Sequence, residues 1–134
     1  MILVDAGPLV ALIHADDRHH HECREVLRSL SEPLVSVWPA VTEAMYLLSF
    51  SWRAQDALWQ FLKRRVFTLL PLGDEDVARM RDLMEKYSDL PMDMADAALV
   101  RVAEREKIRR IFTVDRRDFS LYRLGQIETF QILP

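Results

Sequence analysis

Cysteine is nearly missing from this sequence: Cys23 stands alone, so no internal disulfide can form and a reducing compartment is expected. No apolar run approaches the ~20 residues of a membrane-spanning helix, which predicts a soluble chain. The apolar start lacks a basic leader and a small-residue cleavage site, so the expected location is the cytoplasm. No Pro- or Gly-rich stretch marks a linker, and there is no repeat or low-complexity tract; one domain over residues 1–134 is expected. Positive charge is not in excess either. With 21 acidic and 18 basic side chains, the net charge of −3 does not describe a generic nucleic-acid-binding surface. A polyanionic substrate would have to be met locally, by a metal ion or a basic rim. Nor is there an obvious nucleophile, since Cys23 falls on an apolar helical face and no serine sits in a glycine-flanked elbow.

What is present is an alternation of short apolar runs with helical patterns. Ile2-Leu3-Val4 reads as a buried strand delivering Asp5 to its C-terminal end, with small Ala6 and Gly7 following. Pro8 suits a first helical turn, and Leu9, Leu12 and Ile13 continue as an i, i+3, i+4 stripe. A second helix is expected from about Asp17 to Leu30, a strand over Leu34–Val37, and a helix opened by Pro39 that runs to Leu48 and carries Glu43 early. The spacing then predicts a helix from roughly Trp52 to Arg65 and a strand over Val66–Leu70. Asp74 is placed to cap a helix reaching Lys86. Asp93 opens an alanine-rich helix to about Lys107, Arg110–Val114 forms a strand ending at Asp115, and Phe130–Leu133 forms an edge strand. Strands separated by helices imply a parallel sheet covered on both faces.

On that plan Asp5, Glu43, Asp93, Asp96 and Asp115 all fall at the C-terminal edge of the sheet, where open α/β folds put their chemistry. Carboxylates gathered there repel one another, raise their pKa values and destabilise the fold unless a cation neutralises them. No Cys or His stands at a comparable strand end to suggest zinc, so a hard divalent ion, Mg²⁺ or Mn²⁺, is the expected partner. Such an ion suits phosphodiester hydrolysis. Each acid also has an ordinary reading: Asp5 as a turn or helix-initiating residue, Glu43 as a first-turn acid, Asp93 as an N-cap bonded to the amide of Asp96, and Asp118 as a turn or cap residue.

Four segments in order carry a specific resemblance: Leu3-Val4-Asp5-Ala6-Gly7-Pro8-Leu9, the pair Thr42-Glu43, Leu90-Pro91-Met92-Asp93-Met94-Ala95-Asp96-Ala97, and Phe112-Thr113-Val114-Asp115-Arg116-Arg117-Asp118-Phe119. Across essentially its whole length the chain resembles a PIN-domain ribonuclease, in particular the small VapC-type toxins of bacterial toxin–antitoxin pairs. The resemblance implies an α/β/α sandwich with a mainly parallel sheet of four to five strands and Mg²⁺ or Mn²⁺ dependence. It also implies endonucleolytic cleavage of RNA, a homodimer and an inhibiting antitoxin. By position Asp5, Glu43, Asp96 and Asp115 are similar to the family's acidic quartet, and Asp93 and Asp118 match accessory acids. On this reading Asp5, Asp96 and Asp115 hold metal, Glu43 binds metal or orients the attacking water, and Thr113 orients a carboxylate or is an ordinary strand threonine. Arg116 and Arg117 are the basic pair nearest the acids and are taken as a substrate rim.

His19-His20-His21 reads as a solvated face, because consecutive helical residues point about 100° apart. Trp52, Trp59 and Phe61 read as core or dimer surface rather than a base-stacking platform. Two rival functions stay open. One is a non-catalytic PIN-like domain that binds RNA or a partner; the other is a metal-dependent phosphohydrolase, against which Gly7 stands where a second acid is usual.

Overall fold

The computed structural model describes residues 1–134 and places fifteen elements along them. They are β1 (Ile2–Val4), α1 (Ala6–Ile13), α2 (His20–Ser29), β2 (Leu34–Ser36), α3 (Trp38–Leu47), α4 (Trp52–Lys63) and β3 (Thr68–Leu69), then a 3₁₀ turn (Asp74–Asp76) and α5 (Val77–Lys86). The chain continues through α6 (Met94–Glu106), β4 (Arg110–Phe112), α7 (Arg116–Leu121), β5 (Arg123–Leu124), β6 (Glu128–Thr129) and β7 (Gln131–Leu133). Five strands form one sheet in the order β3-β2-β1-β4-β7, every neighbouring pair parallel. Strands β5 and β6 make a separate antiparallel ribbon.

The central strands β1 and β4 share their apolar side chains between two cores, because successive residues point to opposite faces. Leu3 and Ile111 join a cluster with Leu83, Leu99, Phe119 and Tyr122 on one face. Ile2, Val4 and Phe112 join Leu9, Cys23, Leu58 and Phe67 on the other. This is an α/β sandwich with the sheet in the middle. The alanines of α6 (Ala95, Ala97, Ala98, Ala103) are buried, which lets that helix approach the sheet closely.

Helix α7 and the β5–β6 ribbon are not among the elements expected from the sequence. The cap before α5 also differs from expectation: Asp74 lies in the 3₁₀ turn, and the side chain of Asp76 accepts from the N–H of Gly73 at 2.9 Å. Asp76 is buried and takes two further bonds, from Arg101 Nε at 2.7 Å and Arg105 Nη1 at 2.9 Å. Burial alone would push its carboxyl up, but these donors hold it below the usual carboxylate range. Trp52 and Trp59 are not core residues; both indoles are exposed, and only Phe61 packs against an apolar cluster.

Gly7 has a direct steric reason. It sits in the first turn of α1, where a Cβ would overlap Cγ2 of Val114, the residue just before Asp115. Gly7→Ala should therefore destabilise the fold by about 1–3 kcal/mol, read from urea unfolding, because the overlapping neighbour is a stiff β-branched side chain. An unchanged midpoint would show that α1 can back away from β4 freely.

Candidate active site

The parallel sheet carries β1 and β4 side by side at its centre, so the residues following them are adjacent by construction. Asp5 follows β1 and is buried. Its Oδ1 accepts from the N–H of Ala6 at 2.8 Å, capping α1, and its Oδ2 accepts from the hydroxyl of Thr113 at 3.0 Å. The Thr113 oxygen in turn accepts from the N–H of Asp115 at 3.0 Å. A single buried threonine thus ties the acid after β1 to the acid after β4.

The same device recurs twice. Asp93 caps α6 by accepting from the N–H of Asp96 at 2.8 Å, and Asp115 caps α7 by accepting from the N–H of Asp118 at 3.2 Å. The capping readings of Asp5 and Asp93 are therefore realised, but they do not compete with a site role. Each cap uses only Oδ1 and fixes where the other oxygen sits. Three helix N-termini also bring their positive ends to this edge, which favours negative charge there. Asp96 lies one turn into α6, is buried, and its Oδ2 accepts from the hydroxyl of Tyr122 at 2.9 Å. Glu43, half-buried on α3, has no hydrogen-bond partner within the chain.

The electrostatics separate these acids from every other buried carboxylate. Burial, then the charges of Asp93 and Asp115, push Asp5 up to about 6 against the bonds from Ala6 and Thr113. Burial, then Asp5, Asp93 and Asp115, push Glu43 up to about 7. Asp96 is pushed up to about 8 by burial, then by Asp93 and Asp5. Asp118 is raised by burial and by its bond and charge contact with Asp115. None of the six forms an ion pair. By contrast, Asp76 is matched by Arg101 and Arg105, and Glu104 by a two-pronged bond from Arg79, and both carboxyls are lowered.

The donors are all oxygen, with no thiol or imidazole among them. Asp5, Glu43 and Asp96 are raised in part by the charges of their acidic neighbours, and Asp93, Asp115 and Glu43 keep oxygens that accept no hydrogen bond. That chemistry fits a hard divalent cation and not zinc. No three of the acids converge into a finished coordination shell. Mg²⁺ tolerates such a site, because it retains several waters and takes one or two carboxylates directly. A cleft of about 440 Å³ opens beside the acids, walled by Trp38, Pro39, Thr42, Glu43, Asp93 and Met94. The largest concavity, about 520 Å³ between the end of α6 and the β5–β6 ribbon, contains none of them; its carboxylates Glu104 and Glu128 are already paired with Arg79 and Arg109.

Arg116 and Arg117 are both exposed at the start of α7; Arg116 donates to the carbonyl of Pro134, and Arg117 makes no side-chain bond within the chain, though its charge partly opposes the rise of Asp118. The histidines do not gather. His19 faces Glu22 at 3.6 Å, while His20 Nδ1 lies 2.6 Å from the carbonyl oxygen of Ala11. Two neighbours of the acids escaped sequence reasoning. Tyr122, fully buried and stacked edge-on against Tyr87 and Phe119, holds Asp96; its signal was the i, i+3 spacing with Phe119. Trp38 is half exposed at the mouth of the cleft, and nothing in the local pattern marked it.

The sheet order, the acids at its C-terminal edge and a match of residues 2–125 to the PIN domain model place this chain in the PIN-domain family. It is 29% identical over 135 residues to Ribonuclease VapC26 of Mycobacterium tuberculosis, an alignment spanning 99% of this chain and 100% of that protein. Among solved structures, the fold matches Mycobacterium tuberculosis VapC20, a Sarcin-Ricin loop cleaving toxin, with a TM-score of 0.81 at 18% identity over 87% of this chain and 92% of that one. A toxin–antitoxin complex from Klebsiella pneumoniae matches with a TM-score of 0.67 at 15% identity, covering 90% and 92%.

Proposed function

We propose that this protein is a divalent-metal-dependent endoribonuclease, the toxin of a toxin–antitoxin pair. The observation that carries the reading is the contrast among its buried carboxylates: those elsewhere are neutralised by arginine, while Asp5, Asp96 and their neighbours are left without a cation. Leaving acids so placed is costly, and a bound metal ion offsets that cost. Asp5, Asp96 and Asp115 would hold Mg²⁺ or Mn²⁺, with Glu43 and Asp93 completing the set. The bound ion would supply activation of water and neutralisation of the phosphate. The chain's own groups do the rest. Thr113 and Tyr122 fix the rotamers of Asp5 and Asp96. Glu43, on the wall of the cleft beside Asp93, is placed to bind the ion or to orient the attacking water. Arg116 and Arg117 border the acids as phosphate contacts.

The whole-length likeness to a protein named a ribonuclease supports the RNA substrate, and the fold likeness to a toxin–antitoxin complex supports an antitoxin partner. A single domain, a homodimer and a cytoplasmic location complete the proposal. No helix is long and apolar enough to cross a membrane, which is consistent with it. Incubation of total RNA with the protein should give discrete fragments in Mg²⁺ or Mn²⁺ and none in EDTA. Cleavage that persists in EDTA would exclude the metal-dependent reading, and binding without cleavage in either metal would favour a non-catalytic domain.

A further inference from the structure

A second surface leads away from the acids along the outer edge of the sheet. A groove of about 450 Å³ runs beside β3, floored by Leu62, Phe67 and Leu69 and flanked by Trp38 and Trp59. Trp38 also walls the cleft that contains Glu43 and Asp93, so the two concavities adjoin at one indole. Trp38 is 54% exposed and Trp59 42%, far more than two tryptophans at core spacing would be. At the far end stand Lys63, Arg64 and Arg65, all exposed. Lys63 and Arg65 line the groove itself. None of the three makes an ion pair or a side-chain hydrogen bond, although most other arginines in the chain do.

We infer that this groove is a binding track for single-stranded RNA, in which Trp38 and Trp59 stack bases and Lys63 and Arg65 contact phosphates of the strand flanking the cleaved bond. The inference rests on the nuclease reading and extends it to substrate binding. Three observations favour RNA over a protein segment. Unpartnered cations call for an anionic occupant. Two exposed indoles beside those cations match the pairing of stacking faces with backbone charge that single strands use. The groove adjoins the acid-walled cleft at Trp38, so a strand that passes this indole reaches both. Strand addition by a peptide is disfavoured, because β3 offers an edge of only two residues. The basic cluster also gives an acidic protein a local place to meet a polyanion, with Lys63, Arg64 and Arg65 at one end of the track.

The test uses a fluorescein-labelled, unstructured RNA of roughly 12 nucleotides, a length within the usual range of single-strand sites. Binding is measured in EDTA, which stops metal-dependent cleavage, and turnover of the same RNA is measured separately in Mg²⁺. Trp59→Ala and Trp38→Ala should each weaken binding by about 5- to 100-fold. Trp59→Phe should recover most of the affinity, since it keeps a stacking face. Arg65→Ala should flatten the salt dependence of log K by about 0.7 per contact removed. In Mg²⁺ Trp59→Ala and Arg65→Ala should raise KM and leave kcat nearly unchanged, as expected for loss of uniform binding. Thermal midpoints close to wild type exclude misfolding, and these exposed sites should tolerate the change.

Affinity and KM within about two-fold of wild type in all three variants would overturn the track while leaving the nuclease reading intact, provided that Asp5→Asn still abolishes cleavage. Unaltered RNA affinity combined with a change in oligomeric state would also overturn it, and would assign the face to protein contact. If no metal-dependent cleavage is seen for wild type, the nuclease reading fails, and the binding measurement in EDTA still decides the track.

Discussion

Asp5→Asn should lower metal-dependent RNA cleavage by at least about 10²- to 10³-fold and, in the absence of metal, make the protein more stable. The first effect follows from the proposed mechanism, in which the Asp5 carboxylate helps to hold the metal ion at the centre of the acid cluster. The second follows from the geometry. The asparagine carbonyl can still accept from the N–H of Ala6, and its amide can donate to Thr113, so the cap and the link to β4 survive without a buried charge. A merely structural aspartate would behave in the opposite way, because its removal would weaken the fold and leave the chemistry alone. Cleavage assays and urea unfolding in EDTA on the same variant separate these outcomes, and full activity would remove Asp5 from the site.

Without divalent metal the protein should lose stability as pH rises from about 4 to about 8, and Mg²⁺ should restore it. Asp5 has an ordinary value of 3.8 and a folded value of about 6. Below pH 3.8 both folded and unfolded chains carry its proton, and no penalty exists. Between the two values only the folded chain keeps it, so each rise in pH favours unfolding; above about 6 the penalty is complete, on the order of 3 kcal/mol. Asp96 extends the same slope toward pH 8, since burial and the charges of Asp93 and Asp5 hold its proton there. Asp76 and Glu104 have the opposite sign. Their lowered carboxyls stabilise the fold above their unfolded values and lose that contribution only in stronger acid. Maximum metal-free stability is therefore expected in mildly acidic solution. Unfolding curves at pH 4.5 and pH 8, with EDTA and then with Mg²⁺, provide the check; a flat or rising profile in EDTA would mean that these acids are not held apart from water as described.

The positions of the acids were legible because each lies where two simple rules agree. Asp5 ends an apolar strand and opens a helix, Asp93 opens an alanine-rich helix, and Asp115 follows a strand, so strand pattern and capping chemistry point to the same residue. The parallel sheet then brings them to one edge without further information. What escaped were elements too short for periodicity to register. Helix α7 has six residues, and β5 and β6 have two each, so a repeat of 3.6 or 2 has almost nothing to act on. Tyr122 was missed with α7, since its role depends on a neighbour 26 positions earlier. Trp59 departs from the core alternative for a different reason, and its exposure does not bear on the dimer-surface one. Helical spacing shows that apolar residues share a face, but it does not show whether anything covers that face, and beside β3 the sheet simply ends.

The bond from Thr113 to Asp5 spans 108 positions of the chain. While the protein is being synthesised, β1 leaves the ribosome first and must wait for β4, its neighbour at the centre of the sheet, before Asp5 has a partner or Asp115 a place. A nascent chain therefore carries its first acid early but cannot assemble the set until the segment around Asp118 is also made. On the proposed ribonuclease reading, this order of events would delay activity until most of the fold exists.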